Sequence, residues 1–141
     1  MDKVNDVAKW LSTAIALCCF AISDRAMGQS MNAPGGPCGE AGSTMDTAKC
    51  FDRAYKEADS KLNKTYERIK KVLQGDEITD LTMAQRLWIQ YRDATCKAEY
   101  DLFSGGSGGP PTRLACLEAE ARAREVSLLR SYGFRLEKFE K

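Results

Sequence analysis

Ten residues at 87–96, LWIQYRDATC, bring together two large aromatics, an adjacent arginine and aspartate, and a cysteine. A base, an acid and a thiol in such company can do chemistry, since a thiolate is a nucleophile and a carboxylate moves protons. Two observations narrow that chemistry. The chain contains no histidine, which removes a His general base, a Cys–His or Ser–His pair and any His-ligated metal. Asp93 has a guanidinium next to it in sequence, the wrong neighbour for a general acid. Asp59 and Asn63 lie four residues apart and share one helix face, but they are not the carboxylate pair of a glycosidase. Asp59, Asn63, Gln85, Arg92 and Asp93 therefore read first as a polar cluster that fixes the register between helices, and second as a binding or catalytic cluster. No catalytic residue, metal ligand or cofactor site is assigned. Trp88 and Tyr91 read as core.

These residues must be held by helices. From Ser43, a cap with Asp46 in the first turn, apolar residues recur at Phe51, Tyr55, Ala58, Leu62, Tyr66, Ile69 and Leu73. Steps of three and four predict one long amphipathic helix, closed near Gly75. A second helix starts near Thr79 or Asp80, with the inner stripe Leu81, Ala84, Trp88, Tyr91, Thr95, Ala98 and Leu102. SGGSGGPP at 104–111 reads as a loop with no helical content. A third helix runs from about Thr112 to Tyr132, with Leu114, Leu117, Ala121, Leu128 and Leu129 facing in and Gly133 closing it. There is no strand pattern. The expectation is an all-α, three-helix up-down-up bundle, occupying residues 43–135, with a tail at 136–141.

The start of the chain reads differently. WLSTAIALCCFAIS at 10–23 is an apolar run of signal-peptide length, too short to span a bilayer comfortably. Small residues at Ala26 and Gly28 suit cleavage near Gly28, with an uncleaved anchor as the alternative. Leu17 before Cys18 does not suit lipidation. Residues 1–28 are thus expected to be a secretory signal peptide and 29–42, rich in Gly and Pro, a flexible lead-in. Removing 1–28 takes away three charges of each sign, leaving 18 basic and 17 acidic residues. That balance gives no pull towards nucleic acid or an anionic membrane.

Cleavage leaves Cys38, Cys50, Cys96 and Cys116, an even count that points to two disulfides in an oxidising compartment. In the hairpin of the second and third helices, position 116 comes level with about residue 99, close to Cys96. In the hairpin of the first and second, Cys50 lies about 10 Å from the level of Cys96, beyond the reach of about 7 Å that a disulfide allows. The expected pairs are Cys96–Cys116 and Cys38–Cys50. Four free thiols and a four-cysteine zinc site are the alternatives. The zinc site lacks any close ligand pair.

With these residues in view, the chain resembles the lysozyme inhibitor LprI N-terminal domain family. The resemblance rests on Ala58, Asp59, Leu62, Asn63 and Tyr66 in the first helix. It rests further on Gln85, Trp88, Arg92, Asp93 and Cys96 in the second, and Cys116 opening the third. It covers about residues 38 to 131. It implies an exported, disulfide-bonded bacterial helical domain, periplasmic or secreted, whose partner is lysozyme or another envelope protein. Phe103, Ser104, Ser107 and Pro110 mark the loop that such an inhibitor would insert into a cleft, since glycines let backbone amides come close. An interaction module without an enzyme target is the second expectation, and an enzyme ranks last.

Overall fold

A computed structural model of the chain describes residues 36–139. The signal-peptide reading of 1–28, the lead-in up to residue 35 and the last two residues of the tail lie outside the described residues. Within them are three α-helices, α1 (Thr44–Val72), α2 (Asp76–Asp101) and α3 (Gly109–Phe139), and no strand.

Each boundary has a local cause. Ser43 caps α1: its Oγ accepts from the Asp46 amide at 3.2 Å, and its hydroxyl donates to the Asp46 carboxylate at 2.6 Å. This satisfies one of the amides that a helix start leaves open. Gly75, between α1 and α2, has φ +54, a left-handed conformation that favours glycine. It stands at the start of α2 rather than at the end of α1.

The glycine- and proline-rich stretch differs from expectation. Pro110 and Pro111 lie inside the first turn of α3, where a missing N–H breaks no helical bond and the fixed φ is already helical. At the other end α3 passes through Gly133 and continues to Phe139. Leu136, 5% exposed, joins the core. Arg135 donates to Glu77 at 2.8 Å and reaches the Val72 carbonyl at 3.4 Å. These contacts outweigh the cost of about 1 kcal/mol for glycine inside a helix.

Helix α3 is the central element. Both α1 and α2 pack along it, whereas α1 and α2 hardly meet at the backbone. The main core joins Leu62, Ile69 and Leu73 of α1 to Leu81 of α2 and to Ala121, Leu128 and Leu136 of α3. The disulfides are Cys38–Cys50 and Cys96–Cys116, with Cα–Cα distances of 5.8 and 5.4 Å, as the hairpin levels predicted. Both lie at one end of the bundle. Cys38 packs with Phe51 and Ala115, and Cys96–Cys116 packs with Leu117 and Tyr55.

The inner face of α2 keeps Leu81, Trp88 and Thr95 of the expected stripe but is rotated away from its other members. Leu81, Gln85 and Cys96 are buried, with Trp88, Arg92 and Thr95 half-buried beside them. Ala84, Tyr91, Ala98 and Leu102 are exposed. The helix has two apolar stripes, and the bond to Cys116 selects the one containing Cys96. On α3, Leu129 also turns outward, at 39% exposed.

Candidate functional site

The polar residues singled out in the sequence fall into two groups joined by one ring. The first lies along the seam between α1 and α2. Asn63 donates to the Asp59 carboxylate at 2.8 Å, one turn apart on α1. Across the seam, Arg92 of α2 donates through Nε and Nη2 to a single oxygen of Asp93, at 2.9 and 2.7 Å. Its Nη1 stands 3.9 Å from Asp59. The Arg92 side chain is 13% exposed, those of Asp59 and Asp93 34% and 51%. The cation is covered and its partners are wet. One further bond crosses the seam, from the Tyr66 hydroxyl to Thr82 Oγ1 at 3.3 Å.

The second group faces α3. Gln85, 7% exposed, accepts from Arg124 Nε at 3.0 Å. The ring between the groups is Trp88. The Arg92 guanidinium lies 5.2 Å from its centroid and that of Arg124 5.7 Å, within cation–π range. Burial lowers the pKa of Arg124 without threatening its charge at neutral pH. Asp59, Asn63, Arg92 and Asp93 are thus brought together, while Gln85 belongs to a separate contact.

Sequence reasoning missed Arg124, and also the Thr65–Glu125 bond at 3.1 Å that ties α1 to α3. A signal existed: Arg124 and Glu125 interrupt the inward stripe of α3 between Ala121 and Leu128. Tyr55 belongs to the inward stripe of α1 and packs beside Cys96–Cys116, and it also borders the seam. Burial raises its pKa; Asp59 and Asp93 add to the rise, and Arg92 and Arg113 oppose it. A shallow groove of about 550 Å³ runs along α1 here, lined by Tyr55, Lys56, Asp59, Asn63 and Lys64 among others. It mixes both signs of charge and offers no reactive pair.

The segment after α2 is the other candidate. It is a built turn rather than a slack connector. Successive backbone bonds run from Phe103 to Tyr100, Ser104 to Asp101, Gly106 to Phe103 and Gly109 to Gly106, at 2.7–3.2 Å. Ser104 and Gly105 have φ of 47 and 82. A Cβ at Gly108 would lie 2.5 Å from the Phe103 ring, and one at Gly109 2.9 Å from the Tyr100 ring. Both glycines are required for these rings to close on the backbone. Cys96–Cys116 clamps the two helices at the base of the turn. Phe103 is 39% exposed, and Ser104, Ser107 and Pro110 are exposed.

A family model, described as lysozyme inhibitor LprI, matches residues 37–128. An uncharacterized protein of Rhizobium meliloti (strain 1021) is 31% identical over 128 residues, covering 82% of this chain and 88% of that protein. No solved structure matches the chain. No helix among the described residues is long and apolar enough to cross a membrane.

Proposed function

The chain belongs to the lysozyme inhibitor LprI family, and from that premise we propose that it is an exported envelope binding protein that inhibits lysozyme. In this reading residues 103–110 occupy the cleft of the enzyme. The two disulfides fit an oxidising, extracytoplasmic compartment, and the apolar run at 10–23 supports delivery by a cleaved signal peptide to the periplasm or outside. Family membership speaks for an inhibitor rather than an enzyme.

The observation that carries the reading is the built turn. A rigid segment loses little entropy on binding, which is how a small contact becomes a tight one. Residues 102–112 hold no acidic side chain, and the nearest carboxylate, Asp101, is held by Lys97. The turn therefore presents serine hydroxyls and glycine backbone to a cleft whose working groups are two carboxyls. The test is hydrolysis of peptidoglycan by lysozyme with the oxidised protein added. Inhibition is expected, and Ser107→Asp weakens it by about tenfold, equivalent to 1.4 kcal/mol, with an unchanged melting temperature. No binding to lysozyme, measured directly, sinks the proposal.

The exposed seam favours a second reading, an interaction module without an enzyme target. Asp59 and Asp93 are charged groups left open to solvent, as a partner would need. A folded Asp59→Asn that loses an envelope partner, beside a Ser107→Asp that keeps it, moves the functional surface to the seam.

A further inference from the structure

Helix α2 carries a second apolar stripe on the side turned away from α3. Met83 and Leu87 are each 59% exposed, Tyr91 57% and Leu102 79%. Ala84, Ala94 and Ala98 between them are exposed as well. At about 100° per residue the seven fall within about a third of the helix circumference, over a length of about 28 Å. Together they expose on the order of 600 Å², near the roughly 800 Å² that each partner buries in a standard interface and more than scattered surface apolar residues account for. Among the described residues nothing covers them. The opposite face of α2 is committed to α3 through Cys96–Cys116 and Gln85–Arg124.

The order of sizes along the stripe identifies the occupant. Met83, Leu87 and Tyr91, with Ala84 beside them, fill its N-terminal half, Ala94 and Ala98 its C-terminal half, and Leu102 ends it. Such a surface is complementary to itself when turned end for end. We propose that it is the interface of a homodimer, in which two α2 helices pack antiparallel across a two-fold axis near residues 92 and 93. Leu87 then lies over Ala98 of the second copy and Tyr91 over its Ala94, with Met83 against its Leu102. This isologous arrangement is the commonest symmetry of soluble oligomers.

The charges beside the stripe agree. Arg86 is exposed and has no ion pair among the described residues. Asp101 is 53% exposed at the other end of the same flank, beside Lys97. The two-fold axis that matches large residues to small ones sets Arg86 opposite residue 99 of the second copy, about 3 Å along the axis from the level of its Asp101 on the same flank, within reach of the long arginine side chain. A parallel pairing in register sets large side chains against large ones and puts Arg86 of one copy and Asp101 of the other on opposite sides of the seam, so the pattern selects the antiparallel form. The turns at 103–110 then lie at the two ends of the dimer, outside the interface. The inference therefore does not depend on lysozyme inhibition.

Sedimentation velocity over a concentration series, on oxidised protein purified as its host makes it, tests the proposal. A reversible monomer–dimer equilibrium is expected. Leu87→Glu and Ala94→Glu each raise the dimer Kd by at least about tenfold, with helical circular dichroism unchanged because both positions are exposed in the monomer. Arg86→Glu weakens the dimer, and adding Asp101→Lys recovers at least part of the loss. A wild-type chain that stays monomeric to about 1 mM overturns the proposal, as does a dimer indifferent to both glutamate variants. So does a charge reversal that recovers nothing, which keeps the test decisive if a glutamate variant fails to fold. Stripe variants of a monomeric protein that lose lysozyme binding assign the face to that enzyme and equally overturn the dimer.

Discussion

Replacing Arg92 by alanine asks whether the α1–α2 seam holds the bundle or only decorates it. The wild-type guanidinium is covered by Trp88 at 5.2 Å and is 13% exposed, while its anionic partners Asp59 and Asp93 are solvated. The ion pairs are therefore worth little, from about 0 to 1 kcal/mol. The larger part is the cation–π contact, about 0.5–1 kcal/mol, with the packing of the side-chain stem on the ring added. Removing Arg92 strands no buried charge, because the carboxylates it leaves behind face water. The expected loss is about 1–2 kcal/mol, a fall in Tm of about 5–12 °C for a domain of this size. The assay is thermal unfolding of the oxidised protein followed by circular dichroism, with Asp93→Ala and Trp88→Ala alongside. Asp93→Ala is expected to cost less than about 0.5 kcal/mol. A double-mutant cycle between Arg92 and Trp88 is expected to give a coupling of about 0.5–1 kcal/mol. An Arg92→Ala protein within about 1 °C of wild type, against the size-scaled expectation, refutes the reasoning. Equal losses for Arg92→Ala and Asp93→Ala refute it differently, by placing the energy in the ion pair.

Three other outcomes are expected. Gly108→Ala sets a Cβ 2.5 Å from the Phe103 ring, so the ring must leave; the turn loosens at a cost of about 1–3 kcal/mol, and the proposed inhibition of lysozyme is expected to fall with it, read from melting and inhibition curves together. Substituting serine for both Cys96 and Cys116 frees a loop with a sequence separation of 20 and removes about 3 kcal/mol in the loop-entropy account; urea unfolding measures it, and a wild-type midpoint contradicts it. Burial raises the Tyr55 pKa, so the folded state favours the protonated phenol. The associated stability is fully present below the ordinary tyrosine value of about 10 and is lost as pH rises through the raised value. Alkaline unfolding of Tyr55→Phe is accordingly expected to show a smaller dependence on pH than wild type above that point.

Much of the fold was legible in the chain. The stripe of α1 is unambiguous: Phe51, Ala58, Leu62, Ile69 and Leu73 are all buried, because the opposite face of that helix is charged and only one side can face in. The cysteine pairs could be read because helix rise is fixed, so two hairpins convert residue number into height. The site was less legible. Asp59, Asn63, Arg92 and Asp93 were recognised as a group, but Gln85 pairs instead with Arg124, a residue 39 positions away that no local period could connect to it. The stretch after α2 reads in the sequence as a loop without helical content because glycines and prolines are counted one at a time. Its order comes from the Phe103 and Tyr100 rings closing on Gly108 and Gly109.

By itself the sequence determined three amphipathic helices, their up-down-up order and two disulfides, since periodicity, caps and helix rise are properties of the chain alone. Only the tertiary structure decided which side of α2 faces in. Leu81, Trp88 and Cys96 offer one apolar face and Met83, Leu87 and Tyr91 another, and local spacing weighs them alike. Burial of Cys96 against Cys116 and of Gln85 against Arg124 on α3 selects the first. Contacts at the far end of α3, Arg135 on Glu77 and Val72 and Leu136 in the core, carry that helix through Gly133. A helix accepts an unfavourable residue, or turns an apolar face to water, when long-range contacts contribute more than its local preferences oppose.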